Sequence, residues 1–219
     1  MINFPEPDDK RCLQLLEESR PYLESLSNEM KINYVQPDYF QKIVIPLSVY
    51  LLSLPEREKP YFIGLNGGQG SGKTTLSDFV QVVLSKASNK SVTGFSIDDI
   101  YKTREERKKQ SKEIHPLCKV RGVPGTHDVR MGLEVLDSLC NATKDTLTPI
   151  PSFSKPLDRH KPKEDWKVFQ GKPDYIFFDA WCAGVRPISE ENWKPPMNAL
   201  EKEEDPDGIW SKWSNKELE

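Results

Sequence analysis

The chain has 219 residues, of which 36% are hydrophobic and 10% aromatic, which suits one α/β core with peripheral helices. Its 31 Lys and Arg residues against 34 Asp and Glu residues give a formal net charge of -3. We therefore expect a small-molecule substrate, and neither nucleic acid nor an anionic membrane as a partner. The sequence predicts a cytoplasmic protein. Its four cysteines lack CxxC spacing, its N-terminus lacks a basic and apolar leader, and no apolar run approaches the ~20 residues that span a membrane.

Two helices are predicted before the first strand. Apolar residues at helical spacing over residues 8–30 predict the first helix, which Pro21 is expected to kink or divide. The apolar segment 38–52 predicts the second helix, with Asp38 as its cap. We interpret both as packing elements.

A charged stretch flanked by prolines, residues 55–60, separates this helical extension (residues 1–54) from the predicted catalytic domain (residues 61–219). Three short apolar segments of that domain have the character of buried parallel strands, at residues 61–65, 91–97 and 175–178. Helical patterns alternate with them, at residues 73–85, within 100–112 and at 129–139. The alternation predicts an α/β fold with a mainly parallel sheet. The basic run 104–112 and the acidic tail after Ser189 are interpreted as solvated surfaces.

The first predicted strand leads into the pattern G-x-x-x-x-G-K-[ST], and a helical pattern follows it, which is the setting of a phosphate-binding P-loop. Glycines let successive backbone N–H groups point at phosphate oxygens, and a helix N-terminus adds partial positive charge. Lys73 is expected to contact the β- and γ-phosphates of ATP as a catalytic residue, and the Thr74 hydroxyl to bind Mg²⁺. The alternative is a glycine turn that happens to precede a lysine. The predicted nucleotide-binding residues are Gly67, Gly68, Gln69, Gly70, Ser71, Gly72, Lys73, Thr74 and Thr75.

Two carboxylates, Asp98 and Asp99, follow the second predicted strand. They lie at its carboxyl end, where parallel sheets bind ligands. We predict that Asp98 is the catalytic base that orients the acceptor hydroxyl during phosphoryl transfer, with Asp99 as its support. The alternative is that the pair caps the helix that follows.

The third predicted strand ends at Asp179 in a Walker-B-like pattern, an apolar run closed by an acid. In a P-loop protein this position holds the magnesium ion directly or through water. Asp179 is therefore predicted as a metal ligand together with Thr74.

Hydrogen-bonding residues are concentrated between the second and third strands, in the turn-rich segment 121–128 and around Lys155 and Arg159. Because the arginine fork binds carboxylates and phosphates, Arg121 or Arg159 is expected to hold an anionic substrate or the transferring phosphoryl group. His127 either donates to a substrate oxygen or has a structural role.

In this order the motifs resemble those of the P-loop small-molecule kinases grouped with phosphoribulokinase, uridine kinase and pantothenate kinase. The closer similarity is to the D-glycerate 3-kinase-like branch. It is carried by residues 96–101, 121–128, 151–159, 179–181 and 184–187. The resemblance implies a three-layer α/β/α P-loop nucleoside triphosphate hydrolase fold with extra N-terminal helices. It also implies ATP- and Mg²⁺-dependent phosphorylation of a small hydroxy acid, for which D-glycerate is the natural candidate.

The resemblance also implies roles for single residues. Asp98 matches the catalytic base position, and Lys73 and Thr74 match the nucleotide and magnesium positions. Two residues depart from the family pattern: Ser154 stands where the family has Asp, and Asp179 stands where close relatives often have Glu. The residues that match substrate-side segments are Asp99, Tyr101, Arg121, His127, Asp128, Lys155 and Arg159.

Members of this group continue beyond the position where this chain ends, with a lid and two further strands. In their strand order the P-loop strand is central, so without those strands one of its edges is expected to be unpaired and apolar. A second copy of the chain or a partner protein is then expected to cover that edge. The sequence thus leaves an alternative function open, a non-catalytic ATP-binding or partner-binding remnant of such a kinase.

Overall fold

The computed structural model describes residues 4–32, 34–36, 38–194 and 196–219, which pack into two compact units. Unit 1 comprises Met1–Gly94 and Lys172–Asp179, and unit 2 comprises Phe95–Gly171 and Ala180–Glu219. The predicted boundary between a helical extension and a kinase domain falls inside unit 1, and that division into domains stays a prediction.

Seven α-helices and seven strands are assigned within these residues. The helices are α1 (Lys10–Glu29), α2 (Ile45–Leu52), α3 (Lys73–Val82), α4 (Arg104–Glu113), α5 (Val129–Cys140), α6 (Ala199–Glu204) and α7 (Ile209–Lys216). The strands are β1 (Tyr61–Asn66), β2 (Val92–Ser96), β3 (Leu147–Ile150), β4 (Phe153–Ser154), β5 (Arg159–His160), β6 (Lys167–Gln170) and β7 (Tyr175–Ala180). No helix of the described segments is long and apolar enough to cross a membrane.

The N-terminal helices form as predicted, with two local differences. Pro21 lies within α1 without ending it. Asp38 does not act as a side-chain cap, because its carboxylate pairs with Lys42 Nζ at 2.7 Å. The chain then forms a π-helical turn, Phe40–Val44, which leads directly into α2.

A three-stranded parallel sheet with the order β1-β7-β2 contains the three strands that the sequence predicts. A Cβ atom at Gly94 of β2 would lie 2.5 Å from the Phe177 carbonyl oxygen of β7, so glycine allows the two strands to pass this closely. Among the described strands, β1 has β7 as its one neighbour, which leaves the other edge of β1 unpaired. This unpaired edge of the P-loop strand agrees with the expectation from the resemblance.

The core of unit 1 joins the N-terminal helices to the sheet. Side chains of α1, α2, α3 and β7 pack together in it, among them Leu23, Ile45, Phe79 and Phe177, each buried to 2% exposure or less. Burying a side chain of this size contributes about 1.5–3 kcal/mol. The Tyr175 hydroxyl also donates to the Leu51 carbonyl at 2.9 Å. Since they share this core, the helices before residue 54 belong to the same packed unit as the P-loop strand.

Unit 2 contains the short elements that the sequence does not predict. Strands β3 and β6 pair antiparallel, as do β4 and β5. The acidic tail, interpreted as a solvated surface, instead forms α6 and α7 and contains a carboxylate, Asp205, that is 1% exposed.

Asp205 is predicted to stabilise the start of α7. Its carboxylate accepts hydrogen bonds from the Trp210 and Ser211 amides, both at 2.9 Å. Burial alone would raise the pKa of Asp205, but these hydrogen bonds outweigh it and the pKa is lowered. Replacing Asp205 with alanine leaves two amides without their acceptor and should cost about 1–3 kcal/mol of unfolding free energy, measured by denaturant titration at neutral pH.

The stability of wild type and Asp205→Ala should depend differently on pH. Because the folded-state pKa is lowered, the stabilisation is present above about pH 4 and is lost as the pH falls further. Wild type and Asp205→Ala should therefore converge in stability on acidification, whereas exposed Asp207→Ala should match wild type throughout. A constant difference between wild type and Asp205→Ala down to pH 3 would contradict the role of the carboxylate charge.

Candidate active site

The loop between β1 and α3 has the backbone of a phosphate-binding loop. Gly70 and Gly72 have φ values of 75° and 81°, a left-handed conformation that glycine adopts without steric cost. The residues from Gly68 to Gly72 are exposed, and α3 begins at Lys73 directly after them. The structure thus places the predicted strand, loop and helix in the order that anion binding at a helix N-terminus requires.

Three predicted nucleotide and metal residues meet within unit 1. The Thr74 hydroxyl donates to Asp179 Oδ2, and Lys73 Nζ lies 3.9 Å from Asp179 Oδ1. Lys73 Nζ also donates to the Gly68 carbonyl at 3.4 Å, across the loop. A hydroxyl oxygen next to a carboxylate is a hard oxygen donor set of the kind that Mg²⁺ prefers. These residues therefore fit a magnesium ion with a bound triphosphate.

The predicted base, Asp98, lies in unit 2 with both carboxylate oxygens engaged. Oδ2 is 2.6 Å from Lys155 Nζ, and Oδ1 accepts a hydrogen bond from the Tyr101 hydroxyl at 2.6 Å. Burial alone would raise the pKa of Asp98, but the bonds from Lys155 and Tyr101 outweigh it and lower the pKa. The pKa of Tyr101 is raised by burial and by Asp98, which keeps its hydroxyl a donor. Asp98 is therefore ionised at neutral pH.

Asp99 has the capping role that the sequence leaves as an alternative. Its carboxylate accepts from the Ser96 amide at 3.0 Å and from the Phe153 amide at 3.3 Å, while the Ser96 hydroxyl accepts from the Asp98 amide. Burial raises the pKa of Asp99. Asp99 thus caps the turn after β2 and joins it to β4, whereas the neighbouring Asp98 contacts Lys155. Substrate binding by Asp99 stays a prediction.

His127 and Asp128 are held by the fold of unit 2. His127 is 3% exposed and stacks on Tyr101 with ring centroids 4.7 Å apart. Burial lowers the pKa of His127 to about 4, so the imidazole is neutral at physiological pH. Asp128 caps α5 through the Met131 amide at 3.0 Å. These contacts favour the structural reading of His127 that the sequence leaves open.

Arg107, which the sequence pattern does not single out, is buried next to the predicted substrate-side residues of unit 2. The interpretation of residues 104–112 as a solvated surface is wrong at this position, because Arg107 is 2% exposed. Its Nη2 lies 2.6 Å from Asp158 Oδ1, and the same oxygen accepts from Arg121 Nη1 at 2.8 Å. The sequence feature that could have identified Arg107 is its position in the first turns of a helix whose start is marked by the capping box of Thr103.

The two remaining predicted cations differ in their pairing. Lys155 is bound to Asp98, whereas Arg159 is exposed in β5 opposite Ser154. No hydrogen bond or ion pair of the Arg159 guanidinium is found within the described segments. Unit 2 thus brings together Asp98, Tyr101, Arg121, Lys155 and Asp158. Arg159 lies at the adjoining surface.

The chain is similar to curated kinases. It is 33% identical over 155 residues to the uncharacterized kinase mug58 of Schizosaccharomyces pombe, a match that covers 67% of this chain and 55% of the relative. It is 31% identical over 137 residues to the chloroplastic D-glycerate 3-kinase of Arabidopsis thaliana, covering 59% of this chain and 30% of that protein. The resemblance to the D-glycerate 3-kinase-like kinases is confirmed. The chain spans about half or less of the length of these curated relatives.

Two solved structures, one of them a D-glycerate 3-kinase, confirm the α/β/α fold. The D-glycerate 3-kinase of Cryptococcus neoformans aligns with a TM-score of 0.57 at 20% identity, covering 93% of this chain and 67% of that one. The YGR205w protein aligns with a TM-score of 0.55 at 23% identity, covering 93% of this chain and 65% of that one. No protein-family model matches the chain.

Proposed function

We propose that this chain is an ATP- and Mg²⁺-dependent kinase that transfers the γ-phosphoryl group of ATP to a hydroxyl of a small hydroxy acid such as D-glycerate. The observation that carries the proposal is the contact of Lys73, Thr74 and Asp179 at the P-loop. A generic glycine turn would not require a carboxylate from β7 against the first residues of α3. The relatives named as kinases support the same class of reaction.

The nucleotide side of the reaction belongs to unit 1. Thr74 and Asp179 would hold the magnesium ion, and Lys73 would contact the β- and γ-phosphates. Bound Mg²⁺ supplies positive charge that offsets the negative charge developing on the phosphate oxygens. The exposed amides from Gly68 to Gly72 and the start of α3 would hold phosphate oxygens by backbone hydrogen bonds.

The acceptor side belongs to unit 2. Asp98 accepts the proton of the acceptor hydroxyl as the new oxygen–phosphorus bond forms and the bond from the γ-phosphorus to the β,γ-bridging oxygen breaks, which releases ADP. Arg107 and Arg121 share one carboxylate, and Arg159 is exposed at the adjoining surface. This local excess of positive charge favours an anionic acceptor over a neutral one. The D-glycerate 3-kinase relative makes D-glycerate the first acceptor to test.

An acceptor panel tests the proposal. The chain is incubated with Mg²⁺ and ATP and with D-glycerate, pantothenate or uridine, and ADP release and the phosphorylated product are measured. We expect acceptor-dependent ADP release that is fastest with D-glycerate, together with a phosphoglycerate of the expected mass. Lack of turnover with every acceptor, despite ATP binding, would reject the proposal.

The unpaired edge of β1 favours one second candidate, a non-catalytic ATP-binding protein that works through a partner. It predicts ATP affinity without turnover and a complex in which another chain, or a second copy, covers β1. Light scattering coupled to size-exclusion chromatography measures this directly. An active monomer would exclude this candidate.

A further inference from the structure

Arg107 is buried although it belongs to a helix rich in exposed charges. Besides Asp158, it binds two backbone carbonyls, with Nη1 at 2.7 Å from Lys119 O and Nε at 3.3 Å from Lys102 O. A buried guanidinium requires such partners, because removing a charge from water is costly. Its contacts thus tie α4 to the segment just before Arg121 and to the turn that contains Asp158.

Asp158 is shared unequally between its two arginines. Arg107 is almost fully buried, whereas the Arg121 side chain is 30% exposed. Burial alone would raise the pKa of Asp158, but Arg107 and then Arg121 outweigh it and lower the pKa, so the carboxylate is ionised. The negative charge of Asp158 thus faces the positive charges of Arg107 and Arg121, and the buried Arg107 depends on it more than Arg121 does. The charge of Arg121 is left partly unneutralised at the surface.

The position of Arg121 is fixed by the same cluster. Nη1 binds Asp158, Nη2 donates to the Lys155 carbonyl at 3.3 Å, and the guanidinium carbon lies 5.9 Å from the Tyr101 ring centroid. Tyr101 in turn donates to Asp98, the proposed base. Arg121 is therefore held, with donors left over, among the residues on which the acceptor side of the reaction depends.

We infer that Arg107 is a positioning residue: its ion pair fixes Asp158, the carboxylate that holds Arg121, and by sharing that carboxylate it leaves the charge of Arg121 available for the carboxylate of the acceptor. This inference rests on the proposed function and adds the source of selectivity for an anionic acceptor. Arg107 does not touch the acceptor itself. Its removal acts on acceptor binding through Arg121.

Replacing Arg107 with methionine tests the inference. The variant keeps a long apolar side chain but leaves Asp158 to neutralise Arg121. We expect KM for D-glycerate to rise about 10- to 100-fold, in line with the loss of one charged hydrogen-bonding group, with KM for ATP unchanged. Arg107→Lys keeps the charge and should restore part of the affinity. The matched control is Arg130→Met, which removes an arginine paired with Glu134 on the exposed face of α5.

A double variant separates positioning from general destabilisation. If Arg107 acts through Arg121, then Arg107→Met adds little to the rise in KM caused by Arg121→Met. Thermal unfolding is measured on every variant, and Arg107→Gln, which also removes the charge and keeps Asp158, replaces Arg107→Met if the latter does not fold, with the same expected rise in KM. A lower melting temperature with unchanged KM for D-glycerate, or additive effects in the double variant, would overturn the inference.

Calorimetry of D-glycerate binding distinguishes this inference from the proposed function. Wild type that binds D-glycerate but turns over no acceptor of the panel would reject the kinase activity, and weaker binding by Arg107→Met would still support the positioning role. Equal binding by wild type and Arg107→Met would reject the positioning role even in an active enzyme. Wild type that neither binds D-glycerate nor turns over any acceptor of the panel would reject both.

Discussion

Replacing Lys73 with alanine should lower kcat/KM for ATP by about 10²- to 10³-fold, the usual effect of removing one electrostatic stabiliser of the transition state. Lys73 is the first residue of α3, and its ammonium group already reaches back across the loop to the Gly68 carbonyl and toward Asp179. In a triphosphate complex that ammonium would contact the β- and γ-phosphates, whose charge rises as the bond to the leaving oxygen breaks. The loss should be measured in ADP release at several ATP concentrations.

The control for Lys73→Ala is Lys86→Ala, which removes an exposed lysine from the turn after α3. This variant should retain wild-type kinetics and ATP affinity. Both variants should unfold at the wild-type temperature, because the Lys73 side chain is not part of the core of unit 1. Undiminished turnover by Lys73→Ala would show that the loop is not the phosphate site, whatever its backbone resembles.

The elements that the sequence predicts well are those with strong local patterns. The three parallel strands and the helices α3 and α5 are confirmed with small shifts at their ends, since apolar runs and helical periodicity are properties of adjacent residues. The P-loop is confirmed as a strand, loop and helix for the same reason. Its contact with Asp179 follows from the pairing of β1 with β7, which periodicity alone does not predict.

The roles of charged residues in unit 2 depend on distant partners, and the sequence predicts them poorly. Arg107 reads as one of several solvated cations because the carboxylate that pairs with it lies 51 residues further along the chain. Asp98 and Asp99 are chemically identical in sequence, and only the fold separates the one that contacts Lys155 from the one that caps a turn. Asp205 in the acidic tail is likewise recognised as buried only once α7 packs around it.

Replacing Asp98 with asparagine should reduce kcat by about 10²- to 10⁴-fold, the range of general base catalysis, without a comparable change in ATP affinity. Asparagine keeps the size of the side chain but cannot take the acceptor proton. The control is Asp137→Asn, at an exposed position of α5. Fluorescent nucleotide titration measures ATP binding separately from turnover. A loss of ATP affinity that matches the loss of kcat would refute the base assignment.

The pH profile of kcat/KM for the acceptor tests the same residue through its charge. Burial alone would raise the pKa of Asp98, but the contacts from Lys155 and Tyr101 outweigh it and lower the pKa below its ordinary value. Activity should therefore be lost only below about pH 4, where Asp98 becomes protonated. Lys155→Met removes the strongest of these lowering contacts, so the acid limb should move to higher pH. An acid limb that stays in place in Lys155→Met would mean that the titrating base is a group other than Asp98, because Lys155 binds Asp98 directly at 2.6 Å.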